Sequence, residues 1–199
     1  MMDAGLLPVL VTAGVVGSFG LAWHANVRRT TRRHASRHAR ARERGWCYAA
    51  MPHGFTVTGR TLTCGWSLRS DAHAGASVAS FSLGAPDEHR AIAAFGTGSA
   101  PGALAHSQAW PLHPSVRNAH TRGLWIEAAA IEDVMRIADP EVARLVHDFV
   151  VLTGPGGGLR AWLSPHGVEI RCAHPLHRWA EIEALARLGM ALARRTGLA

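Results

Sequence analysis

Residues 159–172 read LRAWLSPHGVEIRC. Pro165-His166-Gly167 is a turn signal between two short apolar runs, Leu159–Leu163 and Val168–Cys172, so the stretch reads as strand, turn, strand. Val168, Ile170 and Cys172 share one face of the second strand, and the two aliphatics mark that face as the core. Helical patterns flank this hairpin. Upstream, Asp139-Pro140-Glu141 offers a cap residue, a proline at the first helical position and an acid in the first turn. Val142, Leu145, Val146 and Phe149 follow at helical spacing, and Gly154-Pro155-Gly156-Gly157-Gly158 ends the element. Downstream, Leu176–Arg195 carries Trp179, Ile182, Leu185, Leu188, Gly189 and Leu192 on one broad apolar face, with Arg194, Arg195 and Gly197 at a fitting end.

The segment before these helices reads as β. Leu62, Cys64, Trp66 and Leu68 alternate with Thr61, Thr63, Gly65 and Ser67, a period of two that argues a half-buried strand over Thr61–Leu68. Phe55 and Val57 alternate just before Gly59-Arg60, which reads as a hairpin turn. Ala79, Phe81 and Leu83 form a third alternation. Ala91–Phe95 reads as a short buried strand, 96–102 as loop, and Leu124–Ala130 fits strand or helix. Strands followed by helices, with a hairpin between the two helices, predict an α+β domain with a mainly antiparallel sheet packed with two helices. Residues 45–199 have the length of one domain with its own core.

Outward from this domain the composition changes sharply. Residues 5–23, GLLPVLVTAGVVGSFGLAW, hold no charged side chain. At 1.5 Å per residue the run spans roughly 29 Å, close to the thickness of a bilayer core. Residues 24–44, HANVRRTTRRHASRHARARER, then carry eight arginines and one acid. All 21 basic residues of the chain are arginine, and outside this segment thirteen arginines balance thirteen acids, so the net charge of +7 belongs to the segment alone. A nucleic-acid-binding domain would spread basic charge over a folded face. The expected organisation is a transmembrane anchor at 1–23, an Arg-rich juxtamembrane helix at 24–44 and a cytoplasmic domain at 45–199. Arginine beside a membrane helix marks the cytoplasmic side, which places the N-terminus outside the inner (plasma) membrane in a single-pass topology. A cleaved signal peptide would want a basic start and small residues before the cut, whereas this chain has Asp3 at the front and Trp23-His24 at the back of the run.

Arg29, Arg33, Arg37, Arg40 and Arg44 recur at one helical stripe, and Gly45 is a helix stop. Together with Arg28 and Arg32 they are the expected contacts to anionic lipid headgroups, at about 1 kcal/mol each near the surface. Ala13, Gly17 and Gly20 fall on one face with small-residue spacing that lets helices approach, a route to a homodimer or another membrane protein. His34 and His38 have i, i+4 spacing, but a divalent cation would be repelled by the arginines around them.

The order of these features resembles a set of uncharacterised bacterial single-pass membrane proteins with a β-rich cytoplasmic domain. The residues that carry the resemblance are Arg44-Gly45-Trp46, Gly59-Arg60 with Gly65-Trp66-Ser67-Leu68, and Ser164-Pro165-His166-Gly167-Val168. It implies a membrane-anchored α+β protein and brings no catalytic residues.

Several chemistries are excluded. Without lysine there is no Walker A phosphate loop and no lysine Schiff base. There is no G-x-S-x-G elbow, and GPGGG lacks the glycine spacing of a dinucleotide loop. Three widely spaced cysteines suit reduced thiols rather than a disulfide frame. Cys172, His174 and His177 are the densest set of soft ligands, but C-x-H-x-x-H is no zinc signature and an inward Cys172 would be held away from the histidines. No metal or other cofactor is expected. Glu132-Asp133 and Glu181/Glu183 read as solvated helix charge. Seven tryptophans against one tyrosine would mark a contact surface if exposed and ordinary core if buried. The expected function is a membrane-anchored interaction or accessory module. The alternatives are a membrane-anchored hydrolase-like enzyme and an anionic-lipid or nucleic-acid binder acting through the arginines.

Overall fold

The computed structural model describes residues 6–73, 76–86, 91–97, 108–110, 124–128, 130–154 and 158–198, with side chains in the first helix described from Ser18 onward. The chain divides into two compact units, 1–44 and 45–199.

The first unit is one helix, α1 (Leu6–Glu43), 38 residues long, or about 57 Å at the helical rise. Pro8 sits in its first turn, where a missing N–H costs no hydrogen bond. The helix runs from the apolar segment into the arginine segment without a break. It stops where the Arg44 N–H bonds to the Ala41 carbonyl at 3.0 Å and Gly45 takes φ +69°, a left-handed conformation that favours glycine. Most of the apolar run 5–23, including Ala13 and Gly17, lies outside the residues with described side chains. Among the described residues no helix is long and apolar enough to cross a membrane.

The second unit is α+β. Its strands are β1 (Cys47–Met51), β2 (Gly54–Arg60), β3 (Gly65–His73), β4 (Ala76–Gly84), β5 (Ala93–Thr97), β6 (Gln108–Trp110), β7 (Leu124–Ala128), β8 (Leu159–Ser164) and β9 (Gly167–Cys172). They form one sheet in the order β1-β2-β3-β4-β9-β8-β5-β7-β6, with every pairing antiparallel. The helices are α2 (Ile131–Ile137), α3 (Pro140–Thr153) and α4 (Trp179–Arg195). α4 lies on β4 and β9, α3 packs on α4, and α2 meets β7 and α4.

One row of cross-strand partners shows how the core is built. Val57, Leu68, Phe81, Ile170, Ala161, Phe95 and Ile126 are aligned across seven neighbouring strands, and all are buried. Each large member of such a row contributes about 1.5–3 kcal/mol by leaving water. α4 seats on this row through Gly189, where a Cβ would lie 2.1 Å from Cε1 of Phe81. In the next row Ser70 is buried among apolar neighbours, and its hydroxyl accepts the Leu176 N–H at 3.1 Å, tying the chain between β9 and α4 to β3.

Four sequence expectations are corrected. Among the described residues the domain has three helices rather than two: α2 buries Val134 and Ile137 in only two turns and begins at Ala130 with no side-chain cap, leaving the acids Glu132 and Asp133 of its first turn as its start signal. The strand expected at Thr61–Leu68 begins at Gly65. The Thr61 N–H bonds to the Cys64 carbonyl, its hydroxyl joins the same turn, and Leu62 points into solvent. Gly59-Arg60 is therefore the end of β2, paired with Trp66 and Gly65, and not the turn itself. Leu124–Ala130 resolves as strand to Ala128. Of the loop expected at 96–102, Gly96 and Thr97 belong to β5, and the rest lies outside the described residues.

Candidate functional site

The arginines predicted to meet lipid all lie on α1. Arg28, Arg29, Arg32, Arg33, Arg40 and Arg44 are exposed and Arg37 is half-buried. At 100° per residue, Arg29, Arg33, Arg37, Arg40 and Arg44 occupy one arc of about 80°, and Arg28, Arg32 and Arg42 an adjoining arc of similar width. The remaining stripe holds Val27, Thr30, Thr31, His34, His38 and Ala41. The Thr30 and Thr31 hydroxyls donate to the Asn26 and Val27 carbonyls at 2.9 Å, so these hydroxyls are engaged by the helix's own backbone. Arg28, Arg29, Arg32, Arg33, Arg40 and Arg42 make no ion pair among the described residues. Desolvation, and then the Arg37 charge, lower the His34 pKa below the ordinary histidine value. The same helix exposes Phe19, Leu21 and Trp23 at 76, 74 and 71% just before the first arginine. Gly20 stands in open space, with nothing within 4 Å of a Cβ built there.

The Cys172 set does not converge. The thiol sits in the core and donates to the Ala79 carbonyl at 3.3 Å. Burial pushes its pKa up to about 12, so neither a thiolate nucleophile nor a ready metal ligand is present. His174 is half-buried and His177 exposed, with ring centroids 5.6 Å apart. Among the described residues no three His, Cys, Asp or Glu groups are arranged to hold a metal ion.

Glu181 departs from its expectation as solvated charge. It is 1% exposed, and its Oε2 accepts the backbone N–H groups of His177 at 2.6 Å and Arg178 at 3.0 Å. It closes the first turn of α4 by satisfying donors the helix leaves open, while Arg178 Nε lies 3.2 Å from Oε1. Trp66, Trp162 and Trp179 are buried, and Trp46 packs edge-on to Trp66 at 5.0 Å and beside Trp179 at 5.9 Å. The side chain of Trp110 is outside those described.

A cluster that the sequence did not reveal lies on the sheet face opposite the helices. On β8, Arg160 faces Arg171 of β9 and Gly96 of β5, and Gly96 faces Trp125 of β7. The Trp125 ring covers Gly96, where a Cβ would lie 2.7 Å from Cζ2. Two residues along, Trp162 and Glu127 flank Ala94. The Arg171 guanidinium sits 4.9 Å from the Trp162 ring centre and pairs with Glu169 at 2.8 Å. The indole Nε1 atoms of Trp125 and Trp162 are both buried without a hydrogen-bond partner, which costs about 1–3 kcal/mol for each donor left unpaired. The only sequence trace of the cluster is that Trp162 and Trp125 fall on the off-core parity of their strands.

No protein-family profile, curated protein or solved structure matches the chain.

Proposed function

We propose that the chain is a membrane-tethered accessory module. Residues 5–23 form its anchor, the arginines of α1 grip anionic headgroups on the cytoplasmic side, and residues 45–199 are presented to a partner in the cytoplasm. The observation that carries this reading is the continuity of α1, in which exposed Phe19, Leu21 and Trp23 lead directly into exposed Arg28, Arg29, Arg32 and Arg33 with no break in the helix. Apolar and interfacial aromatic side chains followed by a basic cluster are what a bilayer boundary selects. Among the described residues no three His, Cys, Asp or Glu groups are placed to hold a metal ion, so the enzyme alternative has no metal centre there to rest on.

The test separates an anchor from a purely electrostatic grip. The full chain should stay with membranes through about 1 M salt, which shortens electrostatic reach to about 3 Å, and through alkaline carbonate. Replacing Val11 and Val15 by glutamate should release it. A reporter fused after Ala199 should report the cytoplasm, and replacing all eight arginines of 28–44 by glutamine should scramble that orientation. Release of the unmodified chain by salt alone would leave a peripheral protein and end the anchor reading.

A further inference from the structure

We propose that the cluster of Trp125, Arg160 and Trp162 is a binding site for a small carboxylate. Three observations converge there. The first is two indole N–H groups on the same sheet face, on either side of β5, both buried and both without an acceptor; Trp162 itself is 7% exposed. A buried donor needs an acceptor, and two orphans on one sheet face call for a ligand rich in acceptors and poor in donors. The second is Arg160, exposed on the same face and making no ion pair or hydrogen bond among the described residues. Its register partner Arg171 already holds Glu169 in a two-point contact, at 2.8 and 3.1 Å. Like charges opposite one another on a sheet repel, and an anion at Arg160 relieves that repulsion. The third is the floor. Between β8 and β7 the β5 residues on this face are Ala94 and Gly96, so β5 itself sends no long side chain between the two tryptophan positions, and the Trp125 ring lies over Gly96.

The charge balance selects the ligand. A guanidinium and two N–H donors match the two oxygens of a carboxylate. The Arg160 guanidinium supplies a single positive charge, which suits a singly charged head better than a doubly charged phosphate. The exposed guanidinium marks the open end, and the more deeply buried Trp162 the closed end. A singly charged planar head enters past Arg160 and takes the indole hydrogen bonds at depth.

The experiment follows the indole N–H resonances of the full chain carrying 15N-labelled tryptophan, with Trp125 and Trp162 assigned through Trp125→Phe and Trp162→Phe. Acetate and benzoate are the probes and inorganic phosphate the counter-probe. The Trp125 and Trp162 resonances should both move downfield and saturate with a carboxylate, and Arg160→Gln should weaken that binding by about tenfold or more. Because Arg160 is exposed, its loss leaves the fold intact, and an unchanged thermal transition checks this. Three outcomes overturn the proposal: neither resonance moves, both move equally well in Arg160→Gln, or both are already hydrogen-bonded and slow to exchange before any addition, which would mean an acceptor from the chain itself. Phosphate saturating as tightly as acetate would overturn the carboxylate assignment.

Discussion

The two ends of the nine-stranded sheet solve different problems. On the face away from the helices, Cys47, Thr58, Ser67, Ser82, Glu169, Trp162, Ala94 and Glu127 form one row across eight neighbouring strands. Cys47 and Thr58 are exposed, Ser67, Ser82 and Glu169 half-buried, and Trp162, Ala94 and Glu127 buried. The sheet is therefore one-sided around β2, β3 and β4, with core on one face and hydroxyls on the other, and two-sided around β8, β5 and β7. An antiparallel sheet can leave one face wet, and that allows clean alternation in sequence; burial on both faces erases it.

The largest effect should come from placing the same charge at the two-sided end. Ala94 is fully buried between Trp162 and Glu127. Ala94→Asp would bury a carboxylate beside an existing one, at a cost of about 3 kcal/mol or more. Denaturant titration of the full chain should show a greatly lowered midpoint or no folded baseline. A shift below about 1 kcal/mol would mean that this face is open to water.

The same contrast explains what could be read from the sequence. Phe55/Val57, Trp66/Leu68 and Phe81/Leu83 alternate because their opposite neighbours face solvent, and all six are buried. The hairpin Leu159–Cys172 and the two long helices were legible from turn chemistry, the Asp139 cap and helical periodicity; the Asp139 carboxylate does accept the Glu141 N–H at 2.8 Å. β1 was missed because CYAAM alternates weakly, and its place is set by pairing with β2. β5 shows four consecutive buried residues; its apolar run rather than any alternation carries the reading of Ala91–Phe95 as a short buried strand, and β5 begins two residues later, at Ala93. The tryptophan cluster was illegible for a further reason: its members come from β5, β7, β8 and β9, and only strand order brings them together.

The helix layer that makes one face dry can be loosened at its anchor. Glu181→Ala would strip the acceptor from the His177 and Arg178 N–H groups while leaving the apolar face of α4 intact. A cost of about 2 kcal/mol is expected, within the range for a buried donor left unsatisfied. Glu181→Gln keeps one oxygen acceptor and should recover part of the loss. Equal losses in both variants would show that the Arg178 ion pair, rather than the backbone bonds, carries the effect.

A smaller effect tests the inner row at its edge. Cys172→Ala should cost about 1 kcal/mol, as a small cavity does. Cys172 should also resist thiol reagents that modify Cys47, which is exposed. The pH dependence has a definite sign. Burial raises the folded thiol's pKa to about 12 from an ordinary 9.0, so folded and unfolded chains bind the same proton below pH 9 and its contribution is intact there. As pH rises past 9 the unfolded thiol ionises first, and stability falls between pH 9 and 12. Cys172→Ala should flatten that portion of the stability curve, and an equally steep fall in the variant would assign the slope to other groups.

The smallest effect completes the row. Thr58 occupies the same register line and the same face as Ala94, three strands on the outer side of β9 rather than two strands on the inner side. Its neighbours in the line, Cys47 and Ser67, are uncharged and lie at least partly in water. Thr58→Asp buries no charge and meets no acid directly across. It loses only the β preference of threonine, so the cost should stay below about 1 kcal/mol. Measured beside Ala94→Asp in the same denaturant series, it holds the residue, the face and the row constant and varies only what covers the position. A cost at Thr58 comparable to that at Ala94 would mean that the outer face is covered along its whole length, and the one-sided reading of β2, β3 and β4 would fall with it.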